Sequence, residues 1–218
     1  MTQRSTGFAQ RAIAGIYSFA AKNLYEPIVV RRAFPLFGGN LNELALEQGR
    51  AAVAAAEGGP ILDMPVGTAY FAIPVARAHE GLVTGADIAA GMVHEAAGAA
   101  REAGASGLQM VQANAHALPF QDASFAAILC TNGLQVMPGL GASVAEMERV
   151  LKPGGTLFVS VVTLPMSRLL PSANAEHLPT MLRSGMDVAE AISAAGIYVT
   201  TIRHERLATL IEAVKPAP

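Results

Sequence analysis

"ILDMPVGTAYFAIPVARAHE", residues 61–80, decides how this chain folds. It reads as a short apolar strand over 61–64, a tight turn, and a helix over 68–79. Turns of this kind, at the carboxyl end of a parallel strand, hold charged or phosphorylated small molecules. Gly67 leaves the backbone open to a ligand. A helix beginning at Thr68 would aim its free N–H groups and positive dipole end at the same place. The turn lacks the G-x-G-x-x-G fingerprint of a nicotinamide site. Pro65, with φ held at about −65° and no N–H, cannot act as a permissive, donating glycine. No G-K-S/T follows, so a P-loop is disfavoured as well.

Outward from this turn the chain alternates. Further strands are expected at 82–86, 108–112, 125–131 and 156–162, with helices at 89–101 and 142–151. The strands are near-continuous apolar runs, as expected where both sheet faces are covered, and alternating strand and helix implies parallel strands with right-handed crossovers. On the last of these helices Val144, Met147, Val150 and Leu151 make one face. Upstream, Asn40 and Glu43 have capping-box spacing at the start of a helix that the glycines of "EGGP" end. Downstream, Asp187 and Glu190 have the same spacing, with Gly196 as the stop. Two strands follow at 197–203 and 207–214, and "RHER" suggests a hairpin that makes the final strand antiparallel. The expected fold is α/β and Rossmann-like: a mostly parallel seven-stranded sheet with an antiparallel last strand, helices on both faces, and an N-terminal helical cap.

At 218 residues the chain suits one domain with a full core. It divides into a helical cap (1–57), a core (58–163), a lid (164–186) and a final helix with its hairpin (187–218). Hydrophobic residues make up 52% and charged residues 15%, and the mean hydropathy of +0.37 comes largely from alanine. The longest apolar stretch, "GTLFVSVVTLPM", is of strand length and too short for a membrane span. The net charge of −2 gives no reason to expect nucleic acid, which wants a basic patch. One cysteine, Cys130, rules out an internal disulfide and a cysteine-based zinc site, and reads as a small buried hydrophobe. The five histidines are scattered without metal-ligand spacing, so no metal is expected. These features fit a reducing cytoplasm, and either a monomer or a homodimer.

Asp87 ends the second strand, about 20 residues past the glycine turn, where an acid accepts hydrogen bonds from ribose hydroxyls. It could instead cap the following helix. The neighbouring turn favours the ribose.

At this point four collinear stretches carry a resemblance: "ILDMPVGTA", "VTGADIAAGMVHEAA", "VQANAHALPFQDASFAAILCTNGLQVM" and "EMERVLKPGGTLFVS". Over about residues 61–160 the chain resembles class I S-adenosylmethionine (SAM)-dependent methyltransferases of the ubiquinone/menaquinone-biosynthesis type, which act on small molecules. The resemblance implies SAM as cofactor and S-adenosylhomocysteine as product. It implies that Asp63 lies near the methionine amino group and that the backbone around Pro65 and Gly67 meets the amino-acid end. Asp87 would hold the ribose, while Ile88 and Met92 pack on adenine. Asn114 and Ala115 would read the adenine edge. Thr131, Asn132 and Gly133 would lie near the sulfonium, with Gly133 toward the substrate. "LKPGG" would be structural, Pro153 and Gly154 suiting positions i+1 and i+2 of a type II turn.

The chain departs from the family pattern at four places. Pro65 stands for the first glycine, Ala69 for the third, Asn114 for an aspartate, and Ala126 for the acid after "SF". These changes are expected to weaken SAM binding rather than abolish it. They leave open a protein that keeps the fold without methyl transfer, such as a cyclase or a binding protein. A base is needed only if the substrate arrives protonated. His177, in the lid, is the candidate, and His79, His94 and His116 read as solvated surface residues. Tyr17 and Tyr25 could line the substrate mouth. Phe34, Leu36, Phe37, Leu164, Met166, Leu169, Leu170, Met181 and Leu182 suggest a pocket for an apolar small molecule, and core packing or a dimer contact explains the same residues almost as well.

Overall fold

A computed structural model describes residues 40–162, 184–205 and 207–217. Tyr17, Tyr25, His177 and the apolar residues assigned to cap and lid lie outside these described residues, and so does most of each of those two segments. The elements run α1 (Leu41–Ala56), β1 (Ile61–Asp63), α2 (Ala72–Ala78), β2 (Val83–Asp87), α3 (Ala90–Glu102), β3 (Leu108–Gln112), β4 (Phe125–Thr131), α4 (Leu140–Val150), β5 (Leu151–Val162), α5 (Gly185–Ala194), β6 (Tyr198–Glu205) and β7 (Ala208–Val214). They form one seven-stranded sheet in the order β3-β2-β1-β4-β5-β7-β6. β1 pairs parallel with both β2 and β4, and β7 runs antiparallel to β5 and β6. The strand order reverses between β1 and β4, so the carboxyl ends of these strands flank the crevice where this architecture places ligands.

Strand periodicity divides the core into two layers. Successive side chains point to opposite faces. Leu62, Ile128, Cys130, Leu157 and Val159 face one layer with Val144 and Met147 of α4 and Val188 and Ile192 of α5. Ile61, Ala127, Leu129 and Phe158 face the other, with Ala52 and Ala56 of α1, Val75 of α2 and Ala96 of α3. Alanine dominates that second layer, so its helices lie close to the sheet. Cys130 is fully buried, and burial pushes its thiol up to about 12, so it packs as an inert apolar group.

Element ends differ from expectation where side-chain chemistry was the guide. Asn40 precedes α1 but makes no side-chain cap. The capping box of α5 is Ser184 with Asp187, not Asp187 with Glu190: Ser184 Oγ accepts the Asp187 N–H at 3.3 Å and Asp187 Oδ2 accepts the Ser184 N–H at 2.7 Å. Two capping pairs overlap in the sequence, and the backbone takes the earlier one. "KPGG" lies within β5, which begins at Leu151, ahead of the expected start; Gly154 there has φ +77° and its N–H bonds Lys215 O at 2.8 Å. Among the described residues no helix is long and apolar enough to cross a membrane.

Candidate active site

The turn after β1 is fixed from below and from the side. Met64 N–H bonds Leu129 O at 2.9 Å and Val66 N–H bonds Ala86 O at 2.8 Å, tying the turn to β4 and β2. Val66 packs so closely over Gly85 that a methyl built there would meet Val66 Cγ2 at 2.7 Å. Gly67 has φ +55° and donates its N–H to Asp87 Oδ2 at 3.1 Å. The two residues read as one site therefore touch, 20 positions apart in sequence.

One expectation about this turn is corrected. The helix does not begin at Thr68. α2 starts at Ala72 behind Phe71 and spans seven residues. Ala69, at the third-glycine position, packs in the same core layer as Ala72 and Val75 of α2. It is fully buried with φ +64°, a left-handed conformation that glycine adopts without cost and alanine does not.

Asp87 accepts a backbone N–H at each of its carboxylate oxygens. Oδ1 accepts the Ala89 N–H at 2.9 Å, just ahead of α3, while Oδ2 holds Gly67. A carboxylate offers about four acceptor positions, so capacity remains for ribose hydroxyls. Burial pushes the Asp87 carboxyl up, and the N–H groups of Ala89, Gly67 and Ile88 pull it back. Asp63 is buried at the end of β1, and burial, aided by the charge of Asp87, pushes its carboxyl up to about 7.

A cleft opens beside this pair. Its walls are Met64 and Pro65 after β1, Asp87 and Ile88 after β2, Ala113–His116 after β3, Met137 and Pro138 after β4, and Ser143 of α4. Pro65, Asp87, Ile88, Asn114 and Ala115 are thus brought together. Gly67 adjoins the cleft through Asp87, and Gly133 packs under Pro65, where a methyl on Gly133 would meet Pro65 Cδ at 2.2 Å. Met92 lies buried against Ala89 instead of on the wall. Thr131 and Asn132 end β4 outside this wall. Asn132 has φ +53° and is anchored to Ser160 through an N–H to carbonyl bond of 2.9 Å. Asn114 Oδ1 accepts the His116 N–H at 3.0 Å, which turns the chain sharply and leaves the Asn114 amide group on the wall.

The sequence reading missed His116, Met137, Pro138 and Ser143. His116 is no solvated surface residue: it is half-buried, its Nε2 lies 2.6 Å from Pro138 O, and its ring packs on Gly139. Its position two residues after Asn114 was the only available signal. His79 is also buried, with Nε2 2.8 Å from Gly59 O, whereas His94 is exposed as expected.

Arg149 braces the wall from outside. Its guanidinium donates to Leu118 O, Phe120 O, Asp122 and both oxygens of Glu146, and Glu146 Oε2 also accepts the Leu118 N–H at 2.7 Å. This clamp fixes the loop after Asn114–Ala115 onto α4. Arg149→Ala removes the guanidinium donor from two carbonyls and two carboxylates. Because the side chain is 30% exposed, water compensates in part, and a cost of about 2 kcal/mol is expected. Calorimetry should show this as a fall in melting temperature of about 4–8 °C, with Arg149→Lys falling between.

The site suits a small molecule with a cationic amino-acid end and a nucleoside. Two buried acids attract positive charge, and a methyl built on Gly67 would meet nothing within 4 Å, so a ligand can approach the backbone there. An open parallel sheet with this crevice and a β7 reversal defines the class I methyltransferase fold. Solved structures share it. A SAM-dependent methyltransferase from Aquifex aeolicus superposes with TM-score 0.66 at 17% identity, covering 78% of this chain and 89% of that one. The cyclase SpnF superposes with TM-score 0.65 at 24% identity, covering 78% and 81%.

Residues 61–155 match the model of a methyltransferase domain. The demethylmenaquinone methyltransferase of Mycobacterium tuberculosis is 34% identical over 145 residues, covering 66% of this chain and 57% of that protein. Over these residues the chain is similar to methyltransferase domains and to demethylmenaquinone methyltransferases. It spans a little over half the length of these relatives.

Proposed function

We propose that this protein transfers a methyl group from SAM to a small apolar metabolite, releasing S-adenosylhomocysteine. One observation carries the reading: the Gly67 turn and the Asp87 carboxylate meet at the carboxyl ends of β1 and β2, beside a cleft walled by Ile88, Asn114 and Ala115. SAM, when bound, supplies a methyl group on a cationic sulfur, so the leaving group needs little help. The protein's part is to align the reacting atoms and exclude water. Asp87 holds the ribose, Ile88 covers the base, and Asn114 with the Ala115 N–H meets its edge. Asp63, once ionised, faces the cationic amino-acid end together with the backbone at Pro65 and Gly67. Met92, packed against Ala89, is assigned with Ile88 to the adenine side. Thr131, Asn132 and Gly133 bound the reacting centre. His177 is assigned as base for a protonated substrate, and Tyr17 and Tyr25 as the substrate mouth. The named activity of the mycobacterial relatives suggests a quinone-like ring as the acceptor. We place the protein in the cytoplasm as a monomer or homodimer without metal.

Isothermal titration with S-adenosylhomocysteine and, in parallel, NAD(H) tests the cofactor. Binding of the first alone is expected, because the turn has no G-x-G-x-x-G nest for a diphosphate. Tight NAD(H) binding alone would overturn the reading. A second reading keeps the cofactor without methyl transfer. Pro65 in the turn, the left-handed Ala69 and the likeness to the cyclase SpnF favour it. Binding of S-adenosylhomocysteine without transfer of labelled methyl to host extracts would select it.

A further inference from the structure

Ser143 sits in the first turn of α4 and lines the cleft with Asp87, Ile88, Asn114 and Met137. It is 0% exposed, and its Oγ has no hydrogen-bond partner. A serine inside a helix has a ready acceptor in the carbonyl four residues back. Ser193 of α5 uses it, donating Oγ–H to Ala189 O at 3.0 Å. In α4 the equivalent carbonyl, Gly139 O, accepts the Ser143 N–H at 3.1 Å, and the hydroxyl leaves it alone. A buried hydroxyl without a partner is destabilising, so its place on a cleft wall calls for a ligand. Apart from Asp87 at one end, the polar groups of this wall are Asn114, His116 and Ser143, and all three lie around the segment expected to meet a base. Asn114 Oδ1 already holds the His116 N–H, and His116 Nε2 lies against Pro138 O. The Ser143 hydroxyl, which can both donate and accept, has no partner among the described residues.

We infer that Ser143 hydrogen-bonds the purine base of the nucleoside bound in this cleft, making α4 a further wall of the base-binding site. The inference rests on the proposed SAM-type cofactor. It predicts opposite effects on fold and ligand. Ser143→Ala removes a hydroxyl that nothing in the protein satisfies, so the melting temperature of the ligand-free protein should hold or rise. The dissociation constant of S-adenosylhomocysteine should rise about tenfold, the worth of one buried hydrogen bond. Methylthioadenosine keeps the base but lacks the amino-acid end, and its binding should weaken by the same factor.

Titration calorimetry of wild type and Ser143→Ala with both ligands, and thermal unfolding of each protein alone, make the test. Equal weakening for both ligands without thermal loss supports the contact. Unchanged affinity for both, weakening for S-adenosylhomocysteine alone, or a melting temperature that falls with affinity would each overturn it. A wild type that binds neither ligand would remove the cofactor reading, and this contact with it.

Discussion

Asp63→Asn is expected to stabilise the ligand-free protein at pH 8 by roughly 2–4 kcal/mol and to flatten its stability between pH 4 and 7. The cause is the position of this acid. It ends β1, buried under the turn, with burial first and the Asp87 charge second pushing its carboxyl from near 3.8 to about 7. The sign follows from proton uptake. Below pH 4 both folded and unfolded chains carry the Asp63 proton, and the full stability is present. As pH rises toward 7 the unfolded chain ionises while the folded one keeps its proton, so stability falls. Above 7 the folded carboxyl ionises too and the loss is complete. At about 1.4 kcal/mol for each tenfold change the upper bound is near 4 kcal/mol, and local relaxation lowers it. Urea unfolding of wild type and variant at several pH values isolates this residue in the difference curve. A difference that stays flat from pH 4 to 8 would contradict the buried, protonated acid.

Asp87→Ala is expected to weaken S-adenosylhomocysteine binding by about 100-fold. Two ribose hydroxyls donating to a carboxylate make charge-assisted bonds of about 1.5–3 kcal/mol each. The smaller of these, taken twice, gives about 3 kcal/mol, or roughly 100-fold. The fold should survive. Loss of Asp87 frees the Gly67 and Ala89 N–H groups, costing about 1–2 kcal/mol, but it also removes a buried charge that raises the Asp63 carboxyl. Asp87→Asn keeps the shape and one acceptor oxygen, so its affinity should fall in between. Titration calorimetry reads the affinity and urea unfolding checks the fold. A wild-type affinity in Asp87→Ala would take this carboxylate out of the site.

These two acids are the last residues of β1 and β2. Asp63 closes an apolar run, and Asp87 closes another, and the sheet register sets Asp63 opposite Gly85, two residues before Asp87. Strands and helices were legible for a simple reason. Their side chains repeat at period 2 or 3.6, and burial follows that repeat through local geometry. Ends were less legible. Ser184 and Asp187 both begin capping pairs, and only packing of Gly185 against Thr209, where a methyl would come within 2.4 Å, accompanies the earlier start. Likewise the start of α2 slipped from Thr68 to Ala72, because Val66 N–H is drawn to Ala86 O and Gly67 N–H to Asp87, partners on another strand.

The sequence by itself determined the alternation of elements, the mostly parallel sheet with its reversed last strand, and the pairing of a glycine turn with an acid 20 residues on. Only the tertiary structure decided which other residues share that cleft. His116, Met137 and Ser143 belong to segments that run past each other after different strands, so no local spacing links them to Asp87. It also decided the protonation of Asp63, since a carboxyl shifts by what surrounds it in space, and its surroundings come from β2 and β4 as much as from its own strand.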